Sequence, residues 1–493
     1  MAYFLGFDVS TTATKAVLVD EGGRVASTAS SAYDLSVPKP LWAEQDPELW
    51  WRAARESVRA AMEKVGAGAA SIRSIGLTGQ MHGLVMLDKA GRVLRPAILW
   101  NDQRSAAECA EIRDVLGLER LVRLTGNDAF PGFTAPKALW VRRHEPEIYA
   151  RVEHVLLPKD YLRYRLTGEF ATDRAGAGGT LLLDLRSRDW STDVLGATGI
   201  PLAWLPPTHE GPEITGVVSQ AAAEALGLAP GTPVVAGGGD QAAEAVGIGA
   251  VEPGVVSMVL GTSGVVFASS STPLVEARGS LHAFPHAVPD RWHVMGVMLS
   301  AAGSLGWFRD RFAPESSFAE LDAAAAEVDI GAEGLVFLPY LSGERTPHAD
   351  PDARGAFLGL TLAHGRGHLA RAVLEGVAFG LADNLALMRR VGLDDISEVR
   401  VSGGGSRSDL WMGLLADVLG VRLVRTAASE GAAFGAALLA GVGAGHWADV
   451  PSACVDGVQL REAIVPDEAR HRRYAELHGR FQKAYPALRD LMA

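Results

Sequence analysis

The segment that most restricts how this chain can fold is Val234-Val235-Ala236-Gly237-Gly238-Gly239-Asp240-Gln241. An apolar run of strand type feeds three glycines and then a single acid. Consecutive glycines permit a tight turn and let a ligand approach the backbone. Open α/β sheets bind substrates at the carboxyl ends of their strands, and Asp240 falls at such an end, as a candidate catalytic base. Two further turns bearing threonine, the second with glycine as well, lie far apart in the chain and are sized for phosphate: Ser10-Thr11-Thr12 and Gly261-Thr262-Ser263-Gly264.

The rest of the chain alternates strands and helices, which predicts two α/β domains. The first residues read as a β-meander: Phe4 to Phe7, Ala16 to Val19, and a third strand from Arg24 after the turn Asp20-Glu21-Gly22-Gly23. Asp46 and Pro47 open a helix, with Trp50, Ala54, Val58, Ala61 and Met62 at helical spacing. Strand Ser74 to Leu77 runs into Gly79-Gln80-Met81-His82-Gly83. Strands Leu84–Leu87 and Val93–Trp100 flank Asp88-Lys89-Ala90-Gly91, and Ser105 with Glu108 predicts a capping box. The Pro- and Gly-rich stretch from Pro206 to Pro233 leads up to the junction between halves. The second half then opens as the first did, with a hairpin, Val255–Leu260 and Val265–Ala268, whose turn carries Thr, Ser and Gly. Val399–Val401 runs into Gly403-Gly404-Gly405, and a helix starts near Asp409.

Composition narrows the function. A chain of 493 residues exceeds one typical core. Its formal net charge is −12 with no basic cluster, which argues against a nucleic-acid partner. The two cysteines, Cys109 and Cys454, suit neither a disulfide framework nor a metal site. No signal peptide and no membrane span are expected, so the cytoplasm is the expected location.

Each chemical motif has a plainer reading beside it. Asp8-Val9-Ser10-Thr11-Thr12-Ala13-Thr14-Lys15 is either a phosphate cradle, with Asp8 near a water-shelled Mg²⁺, or a polar hairpin. Gly261 and Thr262 form its counterpart or an ordinary hairpin turn. Gly403 and Gly404 precede a helix N-terminus suited to a nucleotide, or make a tight strand–helix turn. Met81-His82 could meet a polyol or serve structure alone. Trp100 could floor a sugar site or close a core. Glu344-Arg345-Thr346-Pro347-His348 reads as a salt-bridged turn with no assigned role. Gly237, Gly239 and Ala242 fit G-x-G-x-x-A, but an aspartate inside that loop would repel pyrophosphate. No P-loop motif occurs, so ATP would have to be held by hairpin turns and glycine loops.

Taken in order, these motifs resemble the FGGY family of sugar kinases, from Asp8 to roughly Leu439. One signature region matches Phe130-Pro131-Gly132-Phe133-Thr134-Ala135-Pro136-Lys137 with Leu139-Trp140, and another Gly355 to Gly376. Gly79–Gly83, Ile98–Asp102, Leu157–Leu162 and Gly343–His348 are similar to members that phosphorylate pentuloses. The resemblance implies two actin-like (ribonuclease-H-like) domains flanking a catalytic cleft, residues 1–245 binding sugar and 246–493 binding ATP. It implies ATP-dependent conversion of D-xylulose to D-xylulose 5-phosphate with Mg²⁺, and it leaves room for a homodimer. By motif, Asp240 is the base and stands near the metal with Asp8. Thr11, Thr12 and Lys15 form one phosphate loop, and Gly261 and Thr262 the second. Met81, His82, Trp100 and Gln241 lie on the sugar side, and Gly403, Gly404 and Ser408 on the adenosine side. Gln241 departs from the asparagine such members can carry, which leaves ribulose or glycerol as alternative acceptors.

Overall fold

The computed structural model describes residues 1–426 and 430–492. Each half is built on a seven-stranded sheet. From one edge, the first runs Ile214–Val217, Pro233–Val235, Ile72–Gly79, Tyr3–Val9, Ala13–Asp20, Val25–Ala32, with Gly238–Gly239 also paired to Ile72–Gly79. The second runs Leu460–Ile464, Leu423–Thr426, Glu398–Ser402, Val255–Leu260, Gly264–Ser270, Trp292–Met298, His282–Pro285. Strand directions agree step by step: an antiparallel edge, three parallel strands, then an antiparallel hairpin ladder. The repeat expected from two similar hairpins is thus a repeat of whole-sheet topology.

Period-two alternation puts both faces of the first sheet to use. Leu5, Phe7, Ala16 and Leu18 join one buried cluster with Trp50, Ala54 and Val58 of the helix Pro47–Val65. Asp46 caps that helix by accepting from Glu48 N–H, as its sequence predicts. Phe4, Val17 and Val19 face the other way, toward Phe434, Leu438 and Trp447. The helix Gly431–Gly443 therefore comes from late in the chain yet packs on the first sheet. It does so at backbone contact: a Cβ at Gly6 would stand 1.9 Å from Ala433 O, and one at Gly435 1.8 Å from Ala243 O. Wedged between that sheet and the helix Asp240–Gly247, it fixes where Asp240 begins.

Two local expectations are corrected. Ser105 makes no cap bond; its hydroxyl donates to Pro131 O, while Glu108 pairs with Arg143, so the capping box does not form. Only Ala97–Ile98 of the stretch Val93–Trp100 is strand, because Arg95 turns inward to pair with Glu44 and Glu145. The stretch from Pro206 to Pro233, ahead of the junction, completes the first half: Ile214–Val217 forms that sheet's edge, and the helix Gln220–Leu226 packs on Pro47–Val65. Among the described residues no helix is long and apolar enough to cross a membrane.

Candidate active site

The three glycines do what their sequence suggests. Gly237 has φ +75°, and a Cβ there would stand 1.8 Å from Leu77 O, so only glycine fits. Gly238–Gly239 then pairs with Thr78–Gly79, and Asp240 is the first residue of its helix. Burial, then the charge of Asp8, pushes the Asp240 carboxyl up to about 7. Asp8 is itself pushed up to about 6 by burial, against the pull of Lys15. Glu244, one helical turn beyond Asp240, is also raised, by burial and by Asp8. Asp8 and Glu244 thus both act on the charge of Asp240, and burial raises all three carboxyls.

A buried ion cluster braces this turn. Arg163, wholly buried, donates to Val235 O at 2.9 Å and Ala236 O at 2.5 Å, the two carbonyls just before the glycines. Lys159 lies 2.5 Å from both Asp160 and Asp173, and both aspartates act on the charge of Arg163. Asp173 also caps the short helix Arg174–Gly178. That helix delivers Gly179, whose carbonyl lies 2.6 Å from His82 Nδ1. The Leu157–Leu162 motif therefore supports both the base and the histidine.

His82 takes φ +69°, and its carbonyl accepts from Thr134 Oγ1 and Lys137 Nζ. A carbonyl only accepts, so Nδ1 carries the proton and Nε2 keeps its lone pair. Burial holds the ring neutral, its pKa pushed down to about 3. His82 and Trp100 line a cavity of about 220 Å³. Met81 is buried against Gly239, tying the cavity to the Asp240 turn. Trp100, 47 % exposed, donates from Nε1 to Thr11 Oγ1 at 2.9 Å, which ties the same cavity to the first hairpin. Asp240 and Gln241 lie outside its lining.

Thr11 and Thr12 occupy the first hairpin turn. Asp8 and Lys15 face each other across its strands, and Lys15 is also bonded to Glu430 at 2.8 Å. Gly261 and Thr262 occupy the matching turn of the second sheet, where their carbonyls accept from Ala301, Ala302 and Gly303 N–H. Gly403 packs its backbone on Leu260, and beside Gly404 there is open space. Ser408 caps the helix Asp409–Leu419 by accepting from Trp411 N–H at 3.0 Å.

Sequence reading missed the far wall of the cavity. His282, Phe284 and Met295 come from strands of the second half, and Arg345 from the loop after the strand Val336–Leu338. Asn127 holds His282 in place, its Oδ1 2.8 Å from Nδ1. The reading of Glu344 and Arg345 as a salt-bridged turn does not hold: Glu344 Oε1 accepts from Leu299 and Arg345 N–H, and the two side chains form no ion pair. Arg345 could have been found as the one cation inside a motif already singled out.

The N-terminal domain of the FGGY family of carbohydrate kinases matches residues 3–247, and its C-terminal domain residues 256–444. A xylulose kinase of Escherichia coli K12 is 45 % identical over 491 residues, covering 99 % of this chain and all of the relative. A crystal structure of a xyloylose kinase from Brucella ovis superposes with TM-score 0.93 at 42 % identity, covering 99 % of this chain and 100 % of the other. A xylulose kinase structure from Rhodospirillum rubrum gives 0.93 at 35 % identity, covering 99 % of each chain.

Proposed function

The chain belongs to the FGGY family of carbohydrate kinases, and on that premise we propose that it transfers the γ-phosphoryl group of ATP to D-xylulose, giving D-xylulose 5-phosphate and ADP. Full-length likeness to xylulose kinases supports this acceptor. One observation carries the chemistry: Asp240 heads a helix behind a glycine turn that packs on Met81, the neighbour of the cavity residue His82, with its carboxyl raised to about 7.

Phosphoryl transfer asks a protein mainly for positioning and charge stabilisation. Asp240 takes the proton of the acceptor hydroxyl as that oxygen attacks phosphorus, a role that favours a pKa near neutrality. His82 Nε2 orients an acceptor hydroxyl, Met81 and Trp100 shape the floor, and Gln241 follows the base on the same helix. Thr11, Thr12 and Lys15 from one half, and Gly261 and Thr262 from the other, offer donors to phosphate oxygens. Gly403, Gly404 and Ser408 bound the adenosine side. Residues 1–245 supply the base and one phosphate hairpin, residues 246–493 the second hairpin and the adenosine-side loop, and the acceptor cavity draws on both.

The acidic group also suits Mg²⁺. Asp8 Oδ1 is buried without a hydrogen-bond partner, and neighbouring carboxylates raise one another's pKa. Such oxygen donors match a hard cation. Among the described residues no three candidate ligands converge, so Asp8 and Asp240 would hold the ion through its water shell. When bound it supplies positive charge against the phosphate oxygens.

The working setting is the cytoplasm and a free small-molecule substrate, with no nucleic-acid or membrane partner. A homodimer is the assembly to test by light scattering. The deciding assay is ADP release across D-xylulose, ribulose and glycerol. D-Xylulose should give the highest kcat/KM, and equal or lower turnover than with glycerol would reject it as the acceptor.

A further inference from the structure

Arg345 is a charged group that a neutral sugar leaves unanswered. Its guanidinium lines the acceptor cavity and lies 5.6 Å from the centre of the Phe130 ring. No hydrogen bond or ion pair links that guanidinium to any described residue. The adjacent acid, Glu344, makes no ion pair with it: backbone N–H groups of Leu299 and Arg345 take Oε1, and Oε2 is buried without a partner. The loop is also fixed. The strand His282–Pro285 pairs only as far as Met295, so Val297 is free to bond Thr346, accepting from its N–H at 3.0 Å and donating to its Oγ1 at 3.1 Å. Thr346 Oγ1 donates in turn to Ser280 O at 2.7 Å. Arg345 thus sits between two anchored residues.

Glu344 acts on its charge through space, but burial pushes that carboxyl up to about 8. The cavity wall beside Arg345 is Phe130, Phe133 and Phe284 with two histidines held neutral by burial, His82 and His282. In both imidazoles Nδ1–H is spent on a protein oxygen, leaving Nε2 to accept from hydroxyls. A guanidinium removed from water without a counter-ion is costly, and an anion that pairs with it offsets that cost. A planar fork of donors is matched by a carboxylate.

From this arrangement we propose that the acceptor cavity is also a receptor for polyhydroxy carboxylates. A five-carbon aldonate would place its carboxylate on Arg345 and its hydroxyls on His82 and His282 Nε2, in competition with the sugar. The proposal rests on the cavity being the acceptor site of the kinase reading above.

The test is calorimetric titration of the whole protein with xylonate and with xylitol, its neutral analogue of equal length. Xylonate should bind roughly tenfold or more tighter, the range of a charge-assisted pairing. Arg345→Met should bring that ratio close to one while leaving xylitol binding nearly unchanged. Arg345→Gln, neutral and of similar reach, should do the same and serves if the methionine variant does not fold. Saturating D-xylulose should abolish the xylonate heat. A ratio near one in the natural protein, an unchanged ratio in the variants, or xylonate binding that persists beside D-xylulose would each overturn the proposal. Because binding needs no turnover, a protein that fails to phosphorylate D-xylulose refutes the kinase reading and leaves this measurement interpretable, with xylitol as the competitor.

Discussion

The two halves share one sheet plan and differ in where they put charge. In the first, Asp8 lies opposite Lys15 near the hairpin end. In the second, the matching positions are Val259 and Val265. The first hairpin is braced by side chains: Tyr33 donates to Ser10 O, Gln45 to Thr11 O, and Trp100 to Thr11 Oγ1. The second is braced by backbone alone and leaves Thr262 exposed. A shared topology thus yields one half that concentrates acids and one that presents bare donors. On the kinase reading, the first half then holds the proton acceptor, while both hairpins offer donors to phosphate.

The sharpest way to break the comparison is to remove the acid that the kinase reading makes the base. Asp240→Asn keeps size and should lower kcat about 10²–10⁴-fold, the usual worth of a general base. The KM for D-xylulose should stay within a few-fold, since the cavity is lined without Asp240. Steady-state kinetics checks both. Retention of a tenth of the activity would move the base elsewhere.

Acid should distinguish the halves by stability. His282, His286 and His293 are buried in the second half and held neutral by desolvation, with His286 pushed down to about 3. Each stays unprotonated when folded but takes a proton near 6.5 when unfolded. The unfolded chain therefore binds more protons below that value, and stability falls as pH drops from about 6.5 toward 3. Three such groups should cost roughly 4 kcal/mol for each pH unit once below about 5.5. Urea unfolding at several pH values, followed for each half, measures the slope. His286→Gln should remove about a third of it. An unchanged slope would mean that His286 is protonated in the fold.

The glycine turns offer a second contrast. Behind Gly237, Arg163 is buried among Asp160, Asp173 and two carbonyls. Behind Gly403, Arg425 donates to Ser406 O and meets the exposed Asp409. Arg163→Met should cost about 3–5 kcal/mol, because it strands buried charge. Arg425→Met should cost less than about 1 kcal/mol. Denaturant midpoints decide, and equal losses would mean that the buried cluster does not brace the catalytic turn.

What the sequence made legible follows from range of interaction. Strand–glycine–acid runs, hairpins and caps such as Asp46 are local and were read directly. Neighbouring residues alone singled out Asp240, Met81-His82 and the two hairpins, but only the family resemblance chose between their functional and plainer readings. The far wall of the cavity is not local. His282 and Arg345 reach it through strand pairing and through a loop that completes the hydrogen bonds of Val297. Ser105 carried a correct capping signal that tertiary context overrode, since Pro131 O took its hydroxyl. The packing of Gly431–Gly443 on the first sheet was equally hidden, because nothing local in Gly6 says which helix lies above it.

The smallest expected effect concerns the second hairpin. Thr262 engages the fold through its carbonyl, which accepts from Ala301 and Gly303 N–H. Thr262→Ala therefore leaves the turn in place and removes one hydroxyl donor. Losing one hydrogen bond costs about 0.5–1.5 kcal/mol, so the KM for ATP should rise roughly two- to tenfold. The KM for D-xylulose should not move, because Thr262 is absent from the acceptor cavity. Asp8→Ala, by contrast, should depress kcat and weaken the dependence on Mg²⁺, since it removes the unpartnered oxygen of the acidic group. Initial rates across ATP and Mg²⁺ concentrations separate the two patterns. If Thr262→Ala leaves ATP kinetics untouched, the second hairpin contributes backbone only. The two halves would then be alike in topology and unlike in every side chain that meets the nucleotide.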